Sequence, residues 1–150
     1  MVSRTLQGKF RPKNPDKYIG DPSGIVYRSS WEKMFMTWCD TKEHVVAWQS
    51  EEKSIWYYDP VTKKKRRYFP DFLIKYKKDG NLISEMIEVK PQSQIDGPPV
   101  NPKRRTKAWM NAVHTYITNQ AKWKAAMEYC EDRGMSFRLI SEKHLGLTNK

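Results

Sequence analysis

The sequence is poor in cysteine, acidic side chains and long apolar runs. Its two cysteines in 150 residues, Cys39 and Cys130, are too few and too far apart for a disulfide framework or a CxxC metal site. Both read as small buried apolar groups. His44, His114 and His144 show no ligand spacing, and no chemistry is assigned to them. No stretch approaches the roughly 18 consecutive apolar residues of a membrane span. The opening MVSRTLQGKFRPKNPDKY lacks the apolar core of a secretory signal, so neither membrane insertion nor export is expected. Internal repeats are absent, as is any base-reading module such as a zinc finger or helix-turn-helix. Acidic residues are the minority, 17 against 28 Lys+Arg, a formal net charge of +11. Aromatics make up 13% of the chain and include six tryptophans, more than a disordered basic tail carries, so a packed core is expected. A surplus of positive charge on a folded domain points to a polyanionic partner, with nucleic acid the first candidate.

Residues 1–26 are rich in Lys, Arg, Pro and Gly without periodicity, and read as an irregular basic arm that orders on a partner. Residues 27–150 then form one domain. Ser29-Ser30-Trp31-Glu32 opens a short amphipathic helix to about Asp40, with Trp31, Met34, Phe35 and Trp38 on one face. Residues 45–48 and 55–58 are β-branched and aromatic and predict strands. The basic run Lys63, Lys64, Lys65, Arg66 and Arg67 leads into a return strand to Lys77, with Pro70 inside it at an edge or bulge. Asp79-Gly80 signals a tight hairpin, and residues 82–90 return as its second strand. After a Pro/Gly-rich loop, Asn101-Pro102 predicts the start of a long helix ending near Arg133 and Gly134. Its expected apolar stripe is Trp109, Val113, Tyr116, Trp123, Met127 and Cys130, interrupted by Gln120. Residues 135–140 form a last strand and 141–147 a helical turn. The order α-β-β-β-β-α-β predicts an α/β or α+β sheet domain with helices packed on it.

Chemistry concentrates on the hairpin. Eight residues separate Asp71 from Asp79, and eight separate Gly80 from Glu88, so the two carboxylates meet at the far end of the paired strands. Lys90 leaves the same face as Glu88, and Glu32 on the first helix is available as a third carboxylate. Hard oxygen ligands of this kind suit Mg²⁺, which takes one or two carboxylates plus waters and substrate phosphate. A nearby ammonium such as Lys90 can position or deprotonate an attacking water. Plainer readings stand beside each assignment. Ser29-x-x-Glu32 fits a capping box, Asp71 after Pro70 fits a turn, and Glu88 with Lys90 fits an exposed charge pair. The run 63–67 fits either a solvated loop or a phosphate track. Lys103, Arg104, Arg105 and Lys107 oppose the helix dipole where they stand, which favours DNA contact. Trp109, Tyr116 and Trp123 read as core residues, whereas Trp56, Tyr57 and Tyr58 alternate faces and offer one or two rings for stacking on bases.

Pro70-Asp71, sixteen intervening residues, then Glu88-Val89-Lys90 resembles the P-D…(D/E)-x-K nuclease superfamily. Tyr27-Arg28-Ser29-x-x-Glu32 resembles the helix-borne glutamate motif of its TnsA-like branch. Over essentially its full length the chain resembles the head completion nucleases of T-even-type tailed phages. The resemblance implies a restriction-endonuclease-like core, a mixed central sheet flanked by helices. It implies metal binding by Asp71 and Glu88, completed by Glu32, with Lys90 assisting the water and Arg28 and Gln120 as accessory residues. The implied activity is Mg²⁺-dependent DNA hydrolysis, Mn²⁺ substituting, with little sequence specificity and no small-molecule cofactor. The implied partners are double-stranded DNA and phage head or portal proteins. The implied setting is the host cytoplasm during assembly, with retention in the virion left open. The rival is a basic DNA-binding head–tail connector whose nuclease site is vestigial; a transposase or junction-resolving subunit on the same core is more remote.

Overall fold

The computed structural model describes residues 7–145. Its centre is a four-stranded sheet, β3 (Val45–Ser50), β6 (Phe72–Lys78), β7 (Asn81–Val89) and β8 (Ser136–Ile140), in the order β3-β6-β7-β8. The first three strands are antiparallel neighbours and β8 lies parallel to β7. A parallel neighbour requires a crossover, supplied here by α2 (Gln92–Asp96) and the long α3 (Lys107–Asp132). The β6–β7 turn is the expected one: Asp79 and Gly80 both take positive φ, 52° and 79°, as a two-residue turn matching the strand twist requires.

One face of the sheet carries Phe72, Ile74 and Ile87 against α1 (Ser30–Thr41). The buried stripe of α1 is Phe35, Met36, Cys39 and Asp40, rotated from the expected one, so that Met34 is 39% exposed and Glu32 falls on the inward side. Residues 7–26 also belong to this layer. Phe10, Tyr18 and Ile25 are buried in the same cluster, and β1 (Gly8–Lys9) pairs with β2 (Val26–Tyr27). The Tyr18 ring meets Trp48 edge-on at 4.8 Å, and the buried Asp40 carboxylate accepts the backbone N–H groups of Lys13 and Asn14 at 2.8 and 2.9 Å. From residue 7 onward this segment is therefore packed structure, not an arm awaiting a partner; its spaced apolar residues anchor it where periodicity shows nothing. Residues 1–6, and 146–147 of the expected terminal turn, lie outside the described residues.

The opposite face holds α3 and a separate two-stranded ribbon, β4 (Ile55–Asp59) with β5 (Lys64–Tyr68). Here the single return strand with an internal Pro70 is corrected. Proline cannot donate to a ladder, and the chain breaks at Phe69-Pro70-Asp71, leaving the ribbon on one side and β6 in the main sheet on the other. The start of α3 also moves. Thr106 is its N-cap, accepting the Trp109 N–H at 3.1 Å, so Lys103, Arg104 and Arg105 precede the helix and only Lys107, its first residue, stands within the first turn against the dipole. The buried residues of α3 are Asn119, Trp123, Ala126 and Cys130. Trp109 and Tyr116 hold the preceding loop instead: Trp109 Nε1–H donates to Pro99 O at 2.7 Å, and Gly97, with φ 86°, lies against the Tyr116 ring. Cys39 and Cys130 are free and buried, as expected. Helices on both faces of a mixed sheet give the restriction-endonuclease-like arrangement, and no helix among the described residues is long and apolar enough to cross a membrane.

Candidate active site

The pairing Phe72↔Ile87 ends the β6–β7 ladder, and one step further the same register sets Asp71 opposite Glu88. Facing residues of an antiparallel pair project to one side. For these two it is the ribbon side, since Phe72 and Ile87 point into the α1 layer. The Val89 N–H donates to Asp71 Oδ2 at 2.8 Å, and Asp71 O accepts the Glu51 N–H at 3.0 Å. Glu88 is buried. Tyr68 O–H donates to its Oε1 at 2.7 Å and the Lys90 ammonium lies 3.2 Å from its Oε2. Two carboxylates and a lysine from the sequence motif thus converge, and the equal distances counted from the turn are the reason.

Glu32 enters from the first turn of α1. Ser29 accepts the Glu32 N–H at 3.1 Å and caps the helix as expected, while Glu32 Oε1 takes the Ser29 hydroxyl at 3.4 Å in place of the backbone N–H that a full capping box would use. The capping is compatible with a second role, because Glu32 Oε2 is buried with no hydrogen-bond partner among the described residues. Burial, and then the Glu51 carboxylate, push the Glu32 acid up from its ordinary value. Asp71 keeps a sliver of surface but has protein on nearly every side. Its acid is held well above the ordinary carboxylate range, first by burial, then by the negative charges of Glu88 and Glu32. Among the described residues no three His, Cys, Asp or Glu side chains form a ready cage for a metal ion. What exists is two facing carboxylates, a third within electrostatic reach and an unpartnered buried oxygen. That donor set fits a hard divalent cation completing its shell with water and phosphate.

Three residues of this site escape motif reasoning. Tyr68 positions Glu88. Glu51 sits at φ 53°, a left-handed conformation rare outside glycine, with Arg28 Nε 3.1 Å from its carboxylate. Lys122 of α3 lies with its ammonium 5.8 and 5.7 Å from the ring centroids of Tyr57 and Tyr68. Arg28, expected as an accessory, therefore reaches the site through Glu51. Gln120 does not come in at all: it is exposed and lines a groove with Trp56, Tyr58 and Ile117.

The basic run is divided by the pleat of β5. Trp56 faces Arg67 and Tyr58 faces Lys65 across the ribbon, forming an outer surface on which Trp56 is 52% and Tyr58 59% exposed. Lys65 and Arg67 stack over the Trp56 ring at 5.2 and 4.8 Å. Arg66 turns to Asp59 at 3.7 Å, while Lys63 and Lys64 are exposed near the turn. Lys103, Arg104 and Arg105 are exposed ahead of α3, Arg105 over the Trp109 ring at 5.7 Å.

Residues 42–142 match the family described as "TnsA-like endonuclease N terminal". The chain belongs to this endonuclease family. The match covers more than half the chain and includes Asp71, Glu88, Lys90, Tyr68 and Lys122; it begins after α1, so Glu32 lies outside it. A similarity of 43% identity over 142 residues, covering 92% of each chain, relates this TnsA-like endonuclease to the head completion nuclease of Enterobacteria phage T4. That relative's coverage extends the likeness well beyond the family match.

Proposed function

We propose that this TnsA-like nuclease hydrolyses phosphodiester bonds of double-stranded DNA with little sequence preference, using Mg²⁺ or Mn²⁺ at Asp71 and Glu88. Its setting is the completion of phage heads, before tails are joined. The observation that carries the chemistry is the convergence of Asp71, Glu88 and Lys90 at one end of the β6–β7 ladder. The similarity to the head completion nuclease carries the setting.

Asp71 and Glu88 would hold the cation, with Glu32 as the third carboxylate. Bound there, the cation supplies neutralisation of charge on the phosphoryl oxygens and a lower pKa for its water. The chain's own groups do the rest. Lys90, 3.2 Å from Glu88 Oε2 and partly open to solvent, is placed to orient the attacking water and to stabilise charge on the phosphorane. Tyr68 fixes one oxygen of Glu88, leaving the other to respond to bound cation and lysine. The outer face of the ribbon and the cations at 103–105 supply backbone contacts that carry no base readout. Head or portal proteins are the second class of partner.

Purified chain with linear and circular duplex DNA, in Mg²⁺, Mn²⁺ or EDTA, tests this directly. Cleavage in Mg²⁺, none in EDTA, and a loss of at least about 100-fold in Asp71→Ala and Lys90→Ala are expected. Undiminished cutting by Asp71→Ala overturns the site. Inactivity of the wild type in both metals favours the connector reading.

A further inference from the structure

Lys122 is a half-buried ammonium for which the site so far has no use. It projects from the border of the buried stripe of α3, beside Trp123, and rests between the rings of Tyr57 and Tyr68 at 5.8 and 5.7 Å from their centroids. Tyr68 is the residue whose hydroxyl holds Glu88 at 2.7 Å, so Lys122 stands one side chain away from the carboxylates. Lys90, the other ammonium here, lies 3.2 Å from Glu88 Oε2 and is partly open to solvent. Among the described residues no carboxylate lies within 4.0 Å of Lys122, and its three N–H donors engage no hydrogen-bond acceptor. Faces of two tyrosine rings stabilise a cation but leave its donors free. A lysine desolvated without a counter-ion is costly. The cost is explained if an anion completes the environment once substrate arrives.

We propose that Lys122 is a further catalytic residue of this nuclease: its ammonium contacts a non-bridging oxygen of the phosphodiester being cut and stabilises the charge that builds there. The assignment rests on the function proposed above and deepens it. Lys122 and Lys90 approach from α3 and β7, so the phosphate is gripped between the two layers rather than from one strand. Burial, and then the charge of Lys90, weaken the hold of Lys122 on its proton; Glu88, Asp59 and Asp71 act in the opposite sense.

The full-length chain is assayed with Mg²⁺ on linear and circular duplex DNA, as wild type and as Lys122→Met, Lys122→Gln, Lys122→Arg and Lys78→Met. Lys78 is exposed opposite Asn81 at the hairpin turn, the far end of the β6–β7 ladder from Asp71, and its loss removes the same charge from outside the site. Both neutral Lys122 variants are expected to lose about 100-fold in kcat with melting unchanged. Arginine recovers activity to within about tenfold of wild type, and Lys78→Met stays within about twofold. The salt dependence of DNA affinity flattens by about one phosphate contact in Lys122→Gln. Wild-type kcat in Lys122→Met, an equal loss in Lys78→Met, or a folded Lys122→Arg as inactive as the neutral variants each overturn the assignment. A wild type that cuts no DNA removes the parent reading with it, a result distinct from all three.

Discussion

At the scale of single residues the site works against its own fold. Asp71 faces Glu88 and feels Glu32, so its ionised form is disfavoured until a cation arrives. Because the folded chain holds this proton more tightly than the unfolded chain does, stability falls as pH rises from the ordinary carboxylate range, about 4, through the raised folded value. Asp71→Asn abolishes that penalty, and its amide oxygen still accepts the Val89 N–H. In EDTA the variant is expected to melt a few degrees above wild type at neutral pH, roughly 2–4 °C per kcal/mol for a chain of this size. The difference shrinks as pH is lowered towards about 4, and Mg²⁺ narrows it by stabilising the wild type alone. Thermal scans across pH with and without Mg²⁺ measure this. A variant less stable than wild type at every pH refutes it. Asp71, Glu88 and Lys90 were legible in the sequence because a hairpin turn converts linear distance into juxtaposition. Tyr68 was not, since it meets Glu88 only because the chain breaks at Pro70, a residue read as a bulge within one strand.

At the scale of elements, the β4–β5 ribbon shows how a run of five cations divides. Side chains alternate, so Lys65 and Arg67 share the outer face with Trp56, while Arg66 is drawn to Asp59. Outward cations release counterions on binding a phosphate backbone. Replacing Lys65 and Arg67 together by alanine is expected to flatten the slope of log affinity against log salt by about two contacts. Sequence preference stays as it is, because phosphate contacts position DNA without reading it. Fluorescence anisotropy over a salt series gives the slope, and an unchanged slope clears the ribbon of DNA contact. Helix α3 is the contrasting case. Its buried stripe was read only in part: Trp123 and Cys130 point inward as expected, Asn119 and Ala126 were not counted, and Gln120, named through the family resemblance, is exposed. Large apolar residues marked the helix but not its rotation, since Trp109 and Tyr116 are used to seat a loop.

At the scale of the molecule, the N-terminal stretch changes status. Its lysines, arginines and prolines suggested an arm, yet Phe10, Tyr18 and Ile25 close the α1 layer and Asp40 ties down its backbone. Removing residues 1–26 therefore strips three large side chains from the core, each worth about 2–5 kcal/mol when truncated. That total rivals the whole stability of a domain. The shortened chain is expected to lose its cooperative melt by circular dichroism rather than merely bind DNA more weakly. A truncated protein that melts like the full chain contradicts this. The net charge of +11 describes an exterior, and the acidic minority is partly held inside it: Asp40 ties down the N-terminal stretch, and Glu88 lies beneath Tyr68 and Lys90.

The ribbon brings these scales together at one peptide bond. Arg67 and Tyr68 are consecutive, so the pleat sends one outward onto Trp56 and the other inward onto Glu88. Neighbours on a strand cannot move separately. On the function proposed above, the cation that a duplex would meet and the hydroxyl that holds Glu88 are separated by a single peptide bond, so in this small molecule handle and latch are built on adjacent residues.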